Sequence, residues 1–199
     1  MIPAVINHLP VDFAFRANRD YVQAPQIFDA LLRVFKPRAS VSLEIHHVIR
    51  RQIELVFATA DEKEASGVMA NFEYAVGQEV RVIYVRERPG TQITSREPYD
   101  EDAIIANGVL HGNEVHSPRH GQGTFVERVT ALNKILLESV LGSQHTWWFT
   151  KIELERVPTD DASLSIKFVT AVGFRLTKSK IIADGTEVGT IYFSEKPKQ

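Results

Sequence analysis

Apolar positions recur along this chain with two different periods, and the periods switch twice in the same order. Just past Asp20–Pro25, Ile27, Leu31, Val34 and Phe35 fall at helical spacing. Pro25 suits a first helical turn, where its missing N–H is not needed, and Pro37 ends the segment. The pattern predicts a short helix over 25–36 with one buried face. Period two then takes over from Val41 to Phe57, with Leu43, Ile45, His47, Ile49, Arg51, Ile53 and Leu55 on one face and Ser42, Glu44, His46, Arg50, Gln52 and Glu54 on the other. A single strand of that length is unusual, so a bend, bulge or tight hairpin is expected near Arg50–Arg51. A bend there would also turn His46 and His47 outward. After a polar turn over Asp61–Gly67, residues 72–87 alternate again, with Phe72, Tyr74, Val76, Val80, Val82 and Tyr84 on one side. Upstream, Val11–Phe15 alternates as a first strand would.

The second pass is cleaner. Thr124 opens a helix running to Leu141, with Phe125, Val129, Leu132, Leu136 and Val140 on one face and Gly142 as its C-cap. A strand over 147–157 follows, and 164–176 alternates strictly. Asp184-Gly185 predicts the turn of a hairpin joining a strand that ends at Ile182-Ala183 to one through Val188 and Phe193. The helix starts lie roughly 100 residues apart, about one small domain of chain. Between them, Arg88–Gly123 is the least regular stretch and is expected to be a crossover. Connections of that length are commonly functional.

Composition narrows the partners more than the chemistry. With 199 residues and a hydrophobic share of 44%, the chain can bury a substantial core. A net charge of -2 leaves no electrostatic footprint for nucleic acid or an anionic membrane. No apolar run is long enough to span a bilayer, and Met1–Pro10 lacks the basic and apolar regions of a signal peptide, so neither a membrane span nor a leader is expected. The absence of Cys excludes disulfides and thiolate chemistry and fits a cytoplasmic protein.

Each half orders its elements as strand, helix, then several antiparallel strands. This order resembles the hotdog fold, and its duplication resembles a double hotdog of the thioesterase/dehydratase superfamily. The resemblance implies an α+β architecture of two fused hotdog-like units, each a helix wrapped by an antiparallel sheet. Residues 1–90 would form the first, 91–123 the crossover and 124–199 the second, with its first strand within 103–110. It further implies binding and processing of an acyl or hydroxyacyl thioester, carried on coenzyme A or acyl carrier protein, by hydrolysis or dehydration. No cofactor is implied.

In such proteins the thioester lies near the N-terminus of a central helix, where unpaired N–H groups and the helix dipole hold its carbonyl. The stretch His116–Glu127 looks like the hydroxyacyl dehydratase pattern of a histidine and a turn ahead of a helix whose first turn carries a glutamate. The turn here is Gly-Gln-Gly rather than Pro-Gly. On this resemblance His116 or His120 would be the base and Glu127 the acid, with Gln122, Gly123, Thr124 and Phe125 against the substrate. Thr124-x-x-Glu127 is also a capping box, which gives the glutamate a purely structural role. In the first helix Asp20, Gln23 and Asp29 echo these positions. His111, His116 and His120 with Glu114 match no familiar metal-ligand spacing, and no metal is expected. Trp147 and Trp148 are expected to fill core or interface space, and Phe125, Phe168 and Phe174 to be core or to line an acyl tunnel. Two rival readings stay open: a non-enzymatic module that binds an acyl chain or small apolar ligand, and a structural homo-oligomer pairing strand edges.

Overall fold

The protein is described by a computed structural model covering residues 8–57, 67–173 and 175–195. Two helices dominate. Helix α1 (Ala24–Phe35) buries Ile27, Phe28 and Leu31, and its C-cap Lys36 adopts the left-handed conformation at φ 46° just before Pro37. The short helix α2 (Glu101–Ile105) is N-capped by Asp100, whose side chain accepts from the Ala103 N–H at 2.9 Å. Helix α3 (Phe125–Leu141) buries Phe125, Val129, Leu132 and Leu136, so its predicted face is the buried one.

The strands are β1 (His8–Val11), β2 (Phe15–Arg16), β3 (Val41–Ile45), β4 (Ile53–Phe57), β5 (Val68–Val76), β6 (Glu79–Glu87), β7 (Arg96–Glu97), β8 (Val109–His111), β9 (Glu114–Ser117), β10 (Trp147–Leu154), β11 (Leu164–Val172), β12 (Leu176–Ala183) and β13 (Thr186–Glu195). Eleven of them form one sheet in the order β1-β4-β6-β5-β3-β10-β13-β12-β11-β9-β8, while β2 and β7 pair separately. Its two halves meet where β3 and β10 run antiparallel, Leu43 opposite Ile152 and Val41 opposite Leu154. A single apolar core runs beneath both helices, from Phe28, Leu43, Phe72 and Val85 in one half to Leu132, Ile152, Ile181 and Phe193 in the other. Full burial of each such side chain contributes about 1.5–3 kcal/mol. The halves are not strict copies. In the second, β11, β12 and β13 form a meander, whereas in the first β6 lies between β4 and β5.

Several expectations are corrected. The alternating run over 41–57 is two strands, and these are not hairpin partners. Strand β3 ends where the His46 and His47 N–H groups both donate to the Met69 carbonyl, at 2.9 and 3.1 Å. The chain then passes beside α1, Val22 N–H donating to Ile49 O at 2.8 Å, and enters β4 after Glu87 Oε1 accepts from the Arg50 and Arg51 N–H groups at 2.6 and 3.1 Å. His46 and His47 are exposed, as a bend would leave them. The run over 72–87 is a hairpin, and its even-length turn exchanges the buried parity. Phe72 lies opposite Ile83, so Ile83 and Val85 are buried and Val80 is exposed. The polar turn over Asp61–Gly67 falls, except for Gly67, outside the described residues.

The crossover holds more structure than expected. Residues 103–105 close α2 rather than opening a strand, because Asp100 caps a turn in which only Ile104 is buried. The strand that precedes α3 is β9, which pairs with β11 and turns Val115 and Ser117 inward. No described helix is long and apolar enough to cross a membrane.

Candidate functional site

The starts of α1 and α3 are built on the same plan. The third residue of each is a capping-box partner, Gln26 in α1 and Glu127 in α3. The sixth residue of each approaches the start of the other helix. Asp29 of α1 accepts from the Thr124 hydroxyl at the start of α3, at 2.8 Å. Thr130 of α3 shares a cleft with Gln23, Ala24 and Pro25 at the start of α1.

The α3 start, where the sequence reading puts the chemistry, is filled by internal partners, with Arg128 Nε left buried and unpaired. Glu127 Oε2 accepts from the Thr124 N–H at 2.9 Å, and Oε1 is held by Arg16, whose Nε donates to Glu97 at 2.7 Å. Burial works against the Arg16 charge, but Glu97 and Glu127 more than offset it and raise its pKa. The Phe125 N–H donates to Asp160 Oδ1 at 2.6 Å. Arg128, fully buried, donates to the carbonyls of Asp160, Ala162 and Pro118 at 2.9, 2.8 and 2.7 Å and to Ser117 Oγ at 3.1 Å. Burial lowers its pKa. Asp29 stands apart. Burial pushes its carboxyl up from 3.8 to about 7 against the Thr124 hydrogen bond, and the charges of Glu127 and Asp160 act in the same direction as burial. It is the carboxyl here whose protonation changes near neutral pH.

The expected histidine partners do not join Glu127. His116 projects from the outer face of β9, 3.6 Å from Glu114 and with its ring 5.7 Å from that of His111. His120 is exposed in a left-handed turn at φ 58°, its N–H donating to Asp161 O. Outward alternation along β9 is the reason for the first, and the cap made by Asp160 and Arg128 leaves the second outside. Gln122 and Gly123 are exposed beside it, Thr124 is half-buried and Phe125 is core. Phe168 packs partly against the core, and Phe174 lies outside the described residues. Among the described residues no cluster of three His, Cys, Asp or Glu side chains has the geometry to hold a metal.

The α1 start is the open one. A cleft of about 640 Å³ is walled by Tyr21, Gln23, Ala24, Pro25, the 45–50 segment, Tyr99, Thr130, Lys134 and the first residues of β10. Both halves of the fold contribute. Tyr21 and Trp148 stack with ring centroids 5.3 Å apart. Among the described residues the Ala24 N–H finds no partner, and Pro25 has no N–H to give. Two wall residues, Thr130 at 6% and Trp147 at 7% exposure, carry buried polar atoms without a hydrogen bond, Oγ1 and Nε1. Among the described residues such atoms also occur at Asn71, Arg86, Arg88, Arg128, Asn133 and Ser179, but these two face one cleft, and each costs about 1–3 kcal/mol. A shallower depression of 410 Å³ over the β3–β10 seam, lined by Glu73, Glu153, Glu155 and Glu187, contains no such atom.

The cleft and the α3 start are joined by charge. The Tyr99 ring lies 4.9 Å from the Arg16 guanidinium and 5.7 Å from that of Arg19, and burial raises its hydroxyl pKa. The sequence reading assigns Trp147 and Trp148 to core or interface and looks to the α3 start, whereas the open cleft lies at the α1 start. The signal available was the Gln23-x-x-Gln26 pair with Tyr21 ahead of it, an echo of Thr124-x-x-Glu127 in which amides replace the hydroxyl and the carboxylate.

No protein-family model matches the chain, and no curated protein matches it by sequence. Among solved structures it is similar to a conserved protein of unknown function with hot dog fold from Alicyclobacillus acidocaldarius, at TM-score 0.50 and 8% identity over 96% of this chain and 93% of that one. It is also similar, at TM-score 0.47 and 10% identity over 96% and 98%, to a 12:0-ACP thioesterase from Umbellularia californica. A dehydratase domain of PpsC from Mycobacterium tuberculosis in complex with C12:1-CoA gives TM-score 0.48 and 8% identity over 88% and 85%. Likeness at this level speaks to fold, and with the strand order and paired helices above it establishes an α+β double hotdog: two hotdog units fused through one continuous sheet.

Proposed function

We propose that this protein binds an acyl thioester in the cleft at the start of α1, with the thioester carbonyl against the Ala24 N–H and the Thr130 hydroxyl and the apolar part along Tyr21, Trp147 and Trp148. The observation that carries this is the pair of orphaned buried polar atoms in the cleft wall, Thr130 Oγ1 and Trp147 Nε1. A fold retains such atoms at a cost, and a ligand that completes their hydrogen bonds recovers it. The free helix start adds a dipole of the correct sign for a carbonyl oxygen that gains negative charge.

Hydrolysis and dehydration both continue from that bound state and differ in where a proton goes. Asp29, whose carboxyl burial pushes up to about 7, bonds the Thr124 hydroxyl and does not line the cleft, and Glu127 is held by Arg16 and the Thr124 N–H, so neither carboxyl carries that proton from the cleft wall. A binding module without turnover is the second reading. It is favoured by the cleft's acid content: among the described residues Asp20 is the one carboxylate in the wall, highly exposed and 3.6 Å from Arg50.

The test is thiol release from a panel of acyl-CoA esters, with ligand binding followed by tryptophan fluorescence. Trp147 and Trp148 are the only tryptophans in the chain, and both line the cleft. Wild type is compared with Thr130→Val, Asp29→Asn and Glu127→Gln. Release lost in Thr130→Val but retained in Asp29→Asn and Glu127→Gln supports turnover in the cleft. Release unaffected by Thr130→Val but lost in Glu127→Gln moves the site to the α3 start and overturns the assignment. Binding without release selects the module.

A further inference from the structure

The cleft wall is unbalanced in charge. Among the described residues Arg19, Arg50 and Lys134 stand in it against the single carboxylate of Asp20, with which Arg50 is already paired. Arg19 and Lys134 come from opposite halves, one from the segment ahead of α1 and the other from α3, and a third element brings them together. Glu101, at the start of α2, accepts from Arg19 Nη2 at 2.5 Å through Oε2 and from Lys134 Nζ at 2.6 Å through Oε1. All three side chains are about one-quarter exposed. Glu101 does not line the cleft, so it holds both cations from behind.

An Arg presents five N–H donors and a Lys three; Glu101 takes one of each and the Gln23 amide oxygen accepts from Arg19 Nη1 and Nε, which leaves two donors on each cation. The trio keeps one positive charge in excess beside an aromatic wall where water is partly excluded. A paired cation with spare donors in such a place is a binding site for an anion.

We propose that Arg19 and Lys134 form an anion subsite of the cleft, and that the ligand is an amphiphile. Its carboxylate or phosphate meets these two cations, and its apolar part lies along Tyr21, Trp147 and Trp148. Glu101 is a positioning residue that sets the spacing of the pair and also competes with the ligand for their charge. The inference rests on the cleft being the ligand site and does not require the ligand to be a thioester.

The experiment titrates the intact protein by tryptophan fluorescence with dodecanoate, with neutral dodecanol and with coenzyme A. Wild type is expected to bind dodecanoate at least tenfold tighter than dodecanol. Lys134→Met and, as a second variant, Arg19→Gln are expected to remove that preference while leaving dodecanol binding within twofold. Glu101→Gln, which frees the pair of its competitor, is expected to tighten dodecanoate binding. Competition by coenzyme A that Lys134→Met abolishes identifies a phosphate as the anion, and dodecanoate preference without it identifies a carboxylate. Equal binding of dodecanoate and dodecanol by wild type overturns the subsite and leaves the cleft standing. No fluorescence response to any of the three overturns both. Weaker dodecanoate binding by Glu101→Gln reduces Glu101 to a structural partner and refutes the competing role.

Discussion

Replacing Thr130 by Val separates a residue retained for a ligand from one retained for the fold. Valine keeps the branched shape and deletes the hydroxyl, and the two residues have similar helix propensities. The Thr130 Oγ1 atom is buried without a partner in a residue only 6% exposed. Leaving such a group unsatisfied costs about 1–3 kcal/mol, and the substitution relieves it. Thr130→Val should therefore be more stable than wild type by about 1–2 kcal/mol, which for a chain of this size raises the melting midpoint by roughly 2–8 °C. Most substitutions destabilise, so a gain of this size is diagnostic. The assay is urea unfolding of both proteins, with the midpoint raised and the slope unchanged, alongside fluorescence titration with an acyl-CoA. Binding should fall by about tenfold, the equivalent of one hydrogen bond of about 1.4 kcal/mol. A variant less stable than wild type would show that the hydroxyl has a partner, and a stabilised variant with unchanged affinity would show that the ligand does not use it.

Two further outcomes follow from the α3 start. Asp29 has its folded pKa raised from 3.8 to about 7, so the stability gained by keeping it protonated is fully present below pH 3.8 and is lost as pH rises through about 7. Asp29→Asn, which cannot ionise, should match wild type in melting temperature near pH 3 and exceed it by a growing margin as pH rises from 3.8 to about 7; parallel melting curves across that range would refute the shift. Arg128→Met removes four hydrogen bonds, three of them to backbone carbonyls of the 118–162 region. It should cost about 3–5 kcal/mol by urea unfolding, and a loss below 1 kcal/mol would mean those carbonyls find water instead.

Much of the architecture was determined by local sequence. The helices over 25–36 and 124–141 appeared within a residue or two of where periodicity and capping placed them, because Pro25, Pro37, Thr124 and Gly142 fix their ends by backbone chemistry alone. The Asp184-Gly185 turn did the same for β12 and β13, both residues taking positive φ as a tight hairpin turn requires. The capping role of Glu127 was likewise visible in Thr124-x-x-Glu127.

What tertiary structure decided was everything that depends on partners distant in sequence. That β3 and β4 are separated by β5 and β6 is set by pairing energies between segments whose alternation is interchangeable. That Glu127 and the Phe125 N–H at the α3 start are already paired depends on Arg16 and Asp160, roughly 110 and 30 residues from Glu127, and no local pattern announces either. The cleft formed at the other helix start because Thr130, Trp147 and Tyr21 are brought there by two halves meeting along one seam, and Thr130 and Trp147 are left with polar atoms that neither half satisfies. Periodicity and capping record each segment's own preferences, whereas an unsatisfied donor is a property of the assembled packing and exists only once the surrounding chain is in place.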